Sequence, residues 1–168
     1  MRGRNMIAKL GTCKAFLFGL LLVLMLPISA RAADVGHYVL GNTTSRTPGQ
    51  VQPGLLLMGG GDRNFDALRW FMKKAGNGHI VVLRASQGGE IGEEFFKEVG
   101  GIQSVETFVF KDRAAANDPR ILRALARADG IFIGGGDQSR YVRYWRGTPI
   151  AKALDDHVRA GKPLGGTS

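Results

Sequence analysis

The chain holds one cysteine, Cys13, and it falls in the N-terminal segment just ahead of an apolar stretch. Past that stretch no thiol is available for a disulfide, a thiolate metal site or a cysteine nucleophile. The apolar run itself, Ala15 to Leu26, has twelve residues, short of the roughly 20 that a helix needs to span a bilayer. Nucleotide signatures are missing as well: there is no G-x-x-x-x-G-K-[ST] stretch, and the glycines from Gly59 do not follow G-x-G-x-x-G. Lys and Arg are scattered without an aromatic-interleaved stripe, so no nucleic-acid partner is indicated. No cofactor or metal is implied. Acids are absent from the first 32 residues, where Arg2, Arg4, Lys9, Lys14 and Arg31 lie.

That asymmetry has a meaning. A basic start, an apolar centre and small residues at Ala30 and Ala32 make the three-part layout of a secretory signal peptide, with cleavage expected after Ala32. The competing reading is an uncleaved anchor, which the short run disfavours. Contact with a membrane is therefore expected only before cleavage, and the mature protein is expected to be secreted or periplasmic. Removing five bases and no acid takes the formal charge from +9 to +4, so the high isoelectric point overstates the case for an anionic partner.

At 168 residues, with 44% hydrophobic and 22% charged residues, the chain has ordinary globular usage and room for one domain. Its division reads as a signal peptide (1–32), a leader or surface strand and loop (33–53), and a regular domain from 54 to 168. In that domain GLLLMGGG, HIVVLRAS, SVETFVF, GIFIGGGDQ and KPLGGTS read as strands. Helical spacing appears at 65–75 (Asp62 or Asn64 as cap), 90–99, 119–128 (Asp118 as cap, Pro119 at the first position) and 148–160. Continuous apolar strands alternating with helices predict a mostly parallel sheet covered on both faces, a three-layer α/β sandwich. Sites in such sheets lie at the carboxyl ends of the strands. Three loops fall there: GGGD at 59–62, GGGDQ at 134–138 and GGTS at 165–168.

Glycine runs after strands let a ligand approach the backbone and leave N–H groups to hold an anion or oxyanion, although each alone could be a plain turn. A serine among small residues at a strand end is how hydrolases on parallel sheets present a nucleophile, and Gly166 stands two before Ser168. A serine in an ordinary loop is the plain alternative.

Taken together, LLLMGGGDRNFDALRWFMKKAG, HIVVLRASQ, GIFIGGGDQSRYVRYWRGTPI and KPLGGTS resemble the cyanophycinase family of serine exopeptidases, related to the aspartyl dipeptidases. The LRAS stretch is more similar to the exported, cyanophycinase-like branch. The resemblance implies a class I glutamine amidotransferase-like (flavodoxin-like) fold ending here after the nucleophile strand. It implies Ser168 as nucleophile, oxyanion amides at Gly135 and Gly136, and substrate contacts at Gln138 and Asp137, the last equally readable as a helix cap. The implied substrate is a cyanophycin-like or other aspartyl peptide, including β-Asp-Arg bonds; a homodimer is left open.

Family members continue past the serine and supply a histidine and an acid downstream. Ser168 needs such a base, and His37, His79 and His157 are each expected to be a surface or partly buried residue instead. The chain is thus expected to be the N-terminal part of a hydrolase, not to turn over alone, and to leave a strand or sheet face uncovered. The alternative is a ligand-binding or degenerate member of the same fold. A glutamine amidotransferase is disfavoured by the missing cysteine.

Overall fold

A computed structural model describes residues 34–86 and 88–168. The proposed signal peptide and Gln87 lie outside the described residues. The strands are β1 (Val35–Gly41), β2 (Leu55–Met58), β3 (His79–Arg84), β4 (Ser104–Phe110), β5 (Gly130–Ile133) and β6 (Leu164–Thr167). The helices are α1 (Phe65–Lys74), α2 (Glu90–Glu93), α3 (Pro119–Arg127), α4 (Gln138–Trp145) and α5 (Pro149–Arg159). The strands form one sheet ordered β1-β4-β3-β5-β6-β2, parallel throughout except that β1 runs antiparallel to β4. The stretch left open as leader or surface strand thus contributes the antiparallel edge strand β1.

Alternation along the central strands builds two cores. Ile80 and Val82 of β3 join Phe132 of β5 beneath α1 and the segment from Ile91 to Val99. Val81 and Leu83 join Phe108, Phe110 and Ile131 beneath α3, α5 and Trp145 of α4. Phe132 meets Phe71 and Phe95 edge-on, at ring separations of 5.9 and 4.9 Å, the geometry that ring quadrupoles favour.

The helices begin where their capping chemistry allows. The Asn64 side chain, rather than Asp62, accepts from the Ala67 amide at 3.0 Å. Asp118 accepts from the Arg120 amide at 2.8 Å, with Pro119 opening α3. Gly161, at φ +72°, supplies the left-handed residue that ends α5. The helix expected at 90–99 is α-helical for one turn and then widens over Glu94–Val99 into a π-helix, whose end shows in the bond from the Gly100 amide to the Phe95 carbonyl.

The amino end of the sheet is tied by buried polar contacts. Asp129 accepts from the Thr47 hydroxyl at 2.6 Å and the His79 amide at 2.9 Å, fixing the loop after β1. His157, buried on α5, bonds the Pro163 carbonyl at 3.0 Å and so ties that helix to the start of β6.

Helices cover both faces of the central strands, whereas β2 is covered on one face and open on the other, the kind of uncovered face also expected from the sequence. Leu56 is buried against α1, whereas Leu55 and Leu57, on the other face, are 61% and 78% exposed. The reason is positional: among the described residues β2 is the last strand of the sheet, and α1 covers only one of its faces. No helix among the described residues is long and apolar enough to cross a membrane.

Two predictions arise from this packing. A β-carbon at Gly165 would stand 2.6 Å from Phe132 Cδ2 and 3.2 Å from Phe71 Cε2. Gly165→Ala should therefore lower stability by about 1–3 kcal/mol, the usual cost of overpacking, read from urea midpoints. Burial holds the His157 pKa below its ordinary value, with the Pro163 carbonyl acting in the opposite direction. The unfolded chain then binds the extra proton first, so this contribution is complete above about pH 6.5 and declines as pH falls through the depressed folded pKa. Between pH 7.5 and 5.5 the native protein should lose more stability than His157→Gln.

Candidate active site

Strands β5, β6 and β2 are neighbours and parallel, so the loops leaving their carboxyl ends meet on one edge of the sheet. Ser168 follows β6 directly and is exposed. Its amide donates to the Met58 carbonyl at 3.2 Å, continuing the β6–β2 ladder by one bond. The Thr167 hydroxyl donates to the Gly59 carbonyl at 2.9 Å. The serine turn is therefore bonded to the end of β2 through backbone and to the first glycine loop through the Thr167 side chain.

The second glycine loop closes from the other side. A side chain at Gly135 would overlap the Ser168 carbonyl, so only glycine permits this approach. Gly136 has φ +148°, and a β-carbon there would stand 2.5 Å from the Ser86 hydroxyl, which belongs to the loop after β3. The Tyr141 hydroxyl donates to the Gly134 carbonyl at 2.5 Å and lies 3.3 Å from that of Gly135, holding the loop from below. Burial raises the Tyr141 pKa, which keeps this hydroxyl protonated as a donor.

Asp137 is the cap of α4: its carboxylate accepts from the Ser139 amide at 2.9 Å and pairs with Arg140 at 3.7 Å. The Ser139 bond is the main reason its pKa lies below the ordinary carboxylate value. Of the two readings open for Asp137, the cap is the one with a visible partner. Gln138 begins α4, exposed, and lines a groove of about 690 Å³ with Ile133, Gly135, Tyr141, Trp145 and Thr167.

The three histidines are occupied elsewhere. His37 on β1 contacts Glu106 at 3.1 Å and stacks on Phe108. His79 contacts the Ser104 hydroxyl at 2.8 Å and the Ser45 carbonyl at 2.7 Å. His157 is held at the opposite end of β6 from the serine. Among the described residues no three His, Cys, Asp or Glu side chains are grouped to hold a metal ion.

Sequence reasoning passed over Arg63, Glu94 and Tyr141. Arg63 donates to Glu94 at 3.2 Å and to the Thr167 hydroxyl at 3.3 Å. The available signal was its place directly after GGGD, at a strand's carboxyl end. Glu94 carried none, because the π-turn that aims it does not show in residue spacing.

A sequence profile of peptidase family S51 matches residues 55–168. The cyanophycinase of Synechococcus elongatus is 37% identical over 81 residues, which are 48% of this chain and 25% of that protein. The cyanophycinase of Trichormus variabilis is 27% identical over 133 residues, 73% of this chain and 45% of that one. The chain thus spans between a quarter and about half the length of these relatives. A crystal structure of a peptidase from an acI-B1 actinobacterium superposes on 71% of this chain and 55% of its own, with a TM-score of 0.53 and 18% identity, a likeness of fold. Since the matched stretch runs from the start of β2 to the serine after β6, well over half its length, the chain belongs to peptidase family S51.

Proposed function

We propose that this protein is the serine-bearing part of an exported peptidase that cleaves aspartyl peptides, including β-Asp-Arg bonds, through an acyl-enzyme on Ser168. The observation that carries the reading is the meeting of three glycine loops around an exposed serine, with Gly135 pressed against the Ser168 backbone. Family membership supplies the reaction class. The cyanophycinases among the relatives suggest the substrate.

In this reading Ser168 Oγ attacks the scissile carbonyl carbon, and its proton passes to a base. The carbonyl oxygen takes up negative charge facing the amides of Gly135 and Gly136, donors that the glycine loop leaves unobstructed. Collapse breaks the C–N bond, and the amine departs with the proton from the base. Water then attacks the ester, giving up a proton to the base, and the base passes that proton to Ser168 Oγ as the acid product leaves. Gln138, and Asp137 beyond its capping bond, face the bound aspartyl group. None of the three histidines here stands as that base, since each is bonded away from Ser168. Catalysis is accordingly a property of the whole protein.

A non-catalytic binding protein on the same fold is the second reading, favoured by that same commitment of the histidines. Assay of the whole native protein decides between the two. A cyanophycin-like aspartyl peptide, with β-Asp-Arg dipeptide assayed beside it, should be hydrolysed, and Ser168→Ala should lower kcat/KM by about three orders of magnitude or more. Hydrolysis retained in Ser168→Ala, or saturable binding without turnover, would overturn the peptidase reading. Export makes a separate prediction: amino-terminal sequencing of the secreted protein should begin at Ala33.

A further inference from the structure

The Ser168 amide bonds the Met58 carbonyl as paired strands do, and the Thr167 hydroxyl adds a bond to the Gly59 carbonyl. There a charged pair intervenes. Arg63 extends from the end of the first glycine loop, its Nε donating to Glu94 at 3.2 Å and its Nη1 to the Thr167 hydroxyl at 3.3 Å. Thr167 immediately precedes Ser168 and spends its own proton on the Gly59 carbonyl. The guanidinium thus joins three separate segments: the loop after β2, the π-helical turn and the serine strand.

The pair is built rather than incidental. The side chains of Arg63 and Glu94 are 27% and 16% exposed, well covered for a surface ion pair. Glu94 is the first residue of the π-helix, and its neighbour Phe95 is fully buried against Phe132. Insertions of this kind are rare and cluster at functional sites, where they redirect a side chain. Anchoring Phe95 in the core fixes where the Glu94 carboxylate stands, and that carboxylate in turn orients the planar guanidinium. A fork of donors can hold a carboxylate and a hydroxyl at once, which a lysine ammonium does with less directional control.

We infer that Arg63, oriented by Glu94, is the positioning residue of the Ser168 turn: it holds Thr167 so that the serine meets the two glycine loops in a fixed geometry. It reaches the nucleophile only through Thr167. The catalytic consequence rests on Ser168 being the nucleophile, whereas the structural consequence does not. A displacement of about 1 Å in a reacting group can cost up to about 100-fold in rate.

The test uses the whole native protein with Arg63→Met, Thr167→Val, their double variant and Ser168→Ala. Hydrogen exchange at the Ser168 amide, bonded to the Met58 carbonyl, should quicken about tenfold or more in Arg63→Met. The amides of Val82 and Phe132, in the central strands, should keep their protection. For hydrolysis of the aspartyl peptide, Arg63→Met should lower kcat by about 10- to 100-fold with KM shifted less than about threefold. If Arg63 acts through Thr167, the double variant should lose no more than the worse single variant.

Unchanged exchange at Ser168, a loss of protection shared by all strands, or multiplicative losses in the double variant would each overturn the inference. Full activity in Ser168→Ala would instead overturn the nucleophile assignment. The exchange measurement would still decide whether Arg63 holds the turn.

Discussion

Everything at the candidate site depends on how closely β6 can lie among its neighbours. Gly165 sits against the rings of Phe132 and Phe71, and Gly166 against Ile133. Gly165 lets β6 pair with β5 on one side and β2 on the other while both aromatic rings stay in the core. A β-carbon there would press on the Phe132 ring, and the turn that follows would move with the strand. Close packing passes such displacements on because side chains in a dense core have little free volume to absorb them. The serine therefore inherits its position from residues that take no part in chemistry.

The two ends of the sheet divide the work. At the amino end, Asp129 gathers Thr47 and His79, and His157 holds Pro163. These are buried or partly buried polar groups with satisfied partners, the condition under which polar burial is tolerated. At the carboxyl end the loops are glycine-rich, exposed at residues 59–62 and 136–138. Tyr141 and Arg63 reach that edge from below and from the side, giving mobile residue types a fixed frame. A site on rigid elements with small residues at its tip can admit a peptide without rebuilding itself.

One face of the sheet departs from this economy. Leu55 and Leu57 lie open on β2, and together with Leu164 and Ile133 they form an apolar surface beside the serine turn. An open edge strand with leucines is a natural place for polypeptide to pack. The groove between β5, α4 and α5 continues from it, sharing Ile133 and Thr167. Family S51 relatives are two to four times longer than the stretch they share with this chain.

Much of the architecture is legible in one dimension. Apolar runs ending in glycine marked β2 and β5, HIVVLR and LGGT marked β3 and β6, and Asp118-Pro119 marked the start of α3, because local sterics and capping bonds act within a few residues. The meeting of GGGD, GGGDQ and GGTS was also readable, since strands joined by helices must run parallel and place their following loops on one edge. Other features depended on pairing across the chain. The strand order, the antiparallel seat of β1 and the open face of β2 follow from which strands become neighbours, and no local pattern encodes that. Asn64 was chosen over Asp62 as a cap by the geometry of the entering loop. Arg63 and Glu94 are 31 residues apart, and their meeting at Thr167 required a π-turn set by burial of Phe95. Local chemistry in the sequence determined most of the elements and the glycine-flanked setting of Ser168. Only tertiary packing decided what holds that serine in place, because the contacts involved are long-range and arise only when the sheet closes around them.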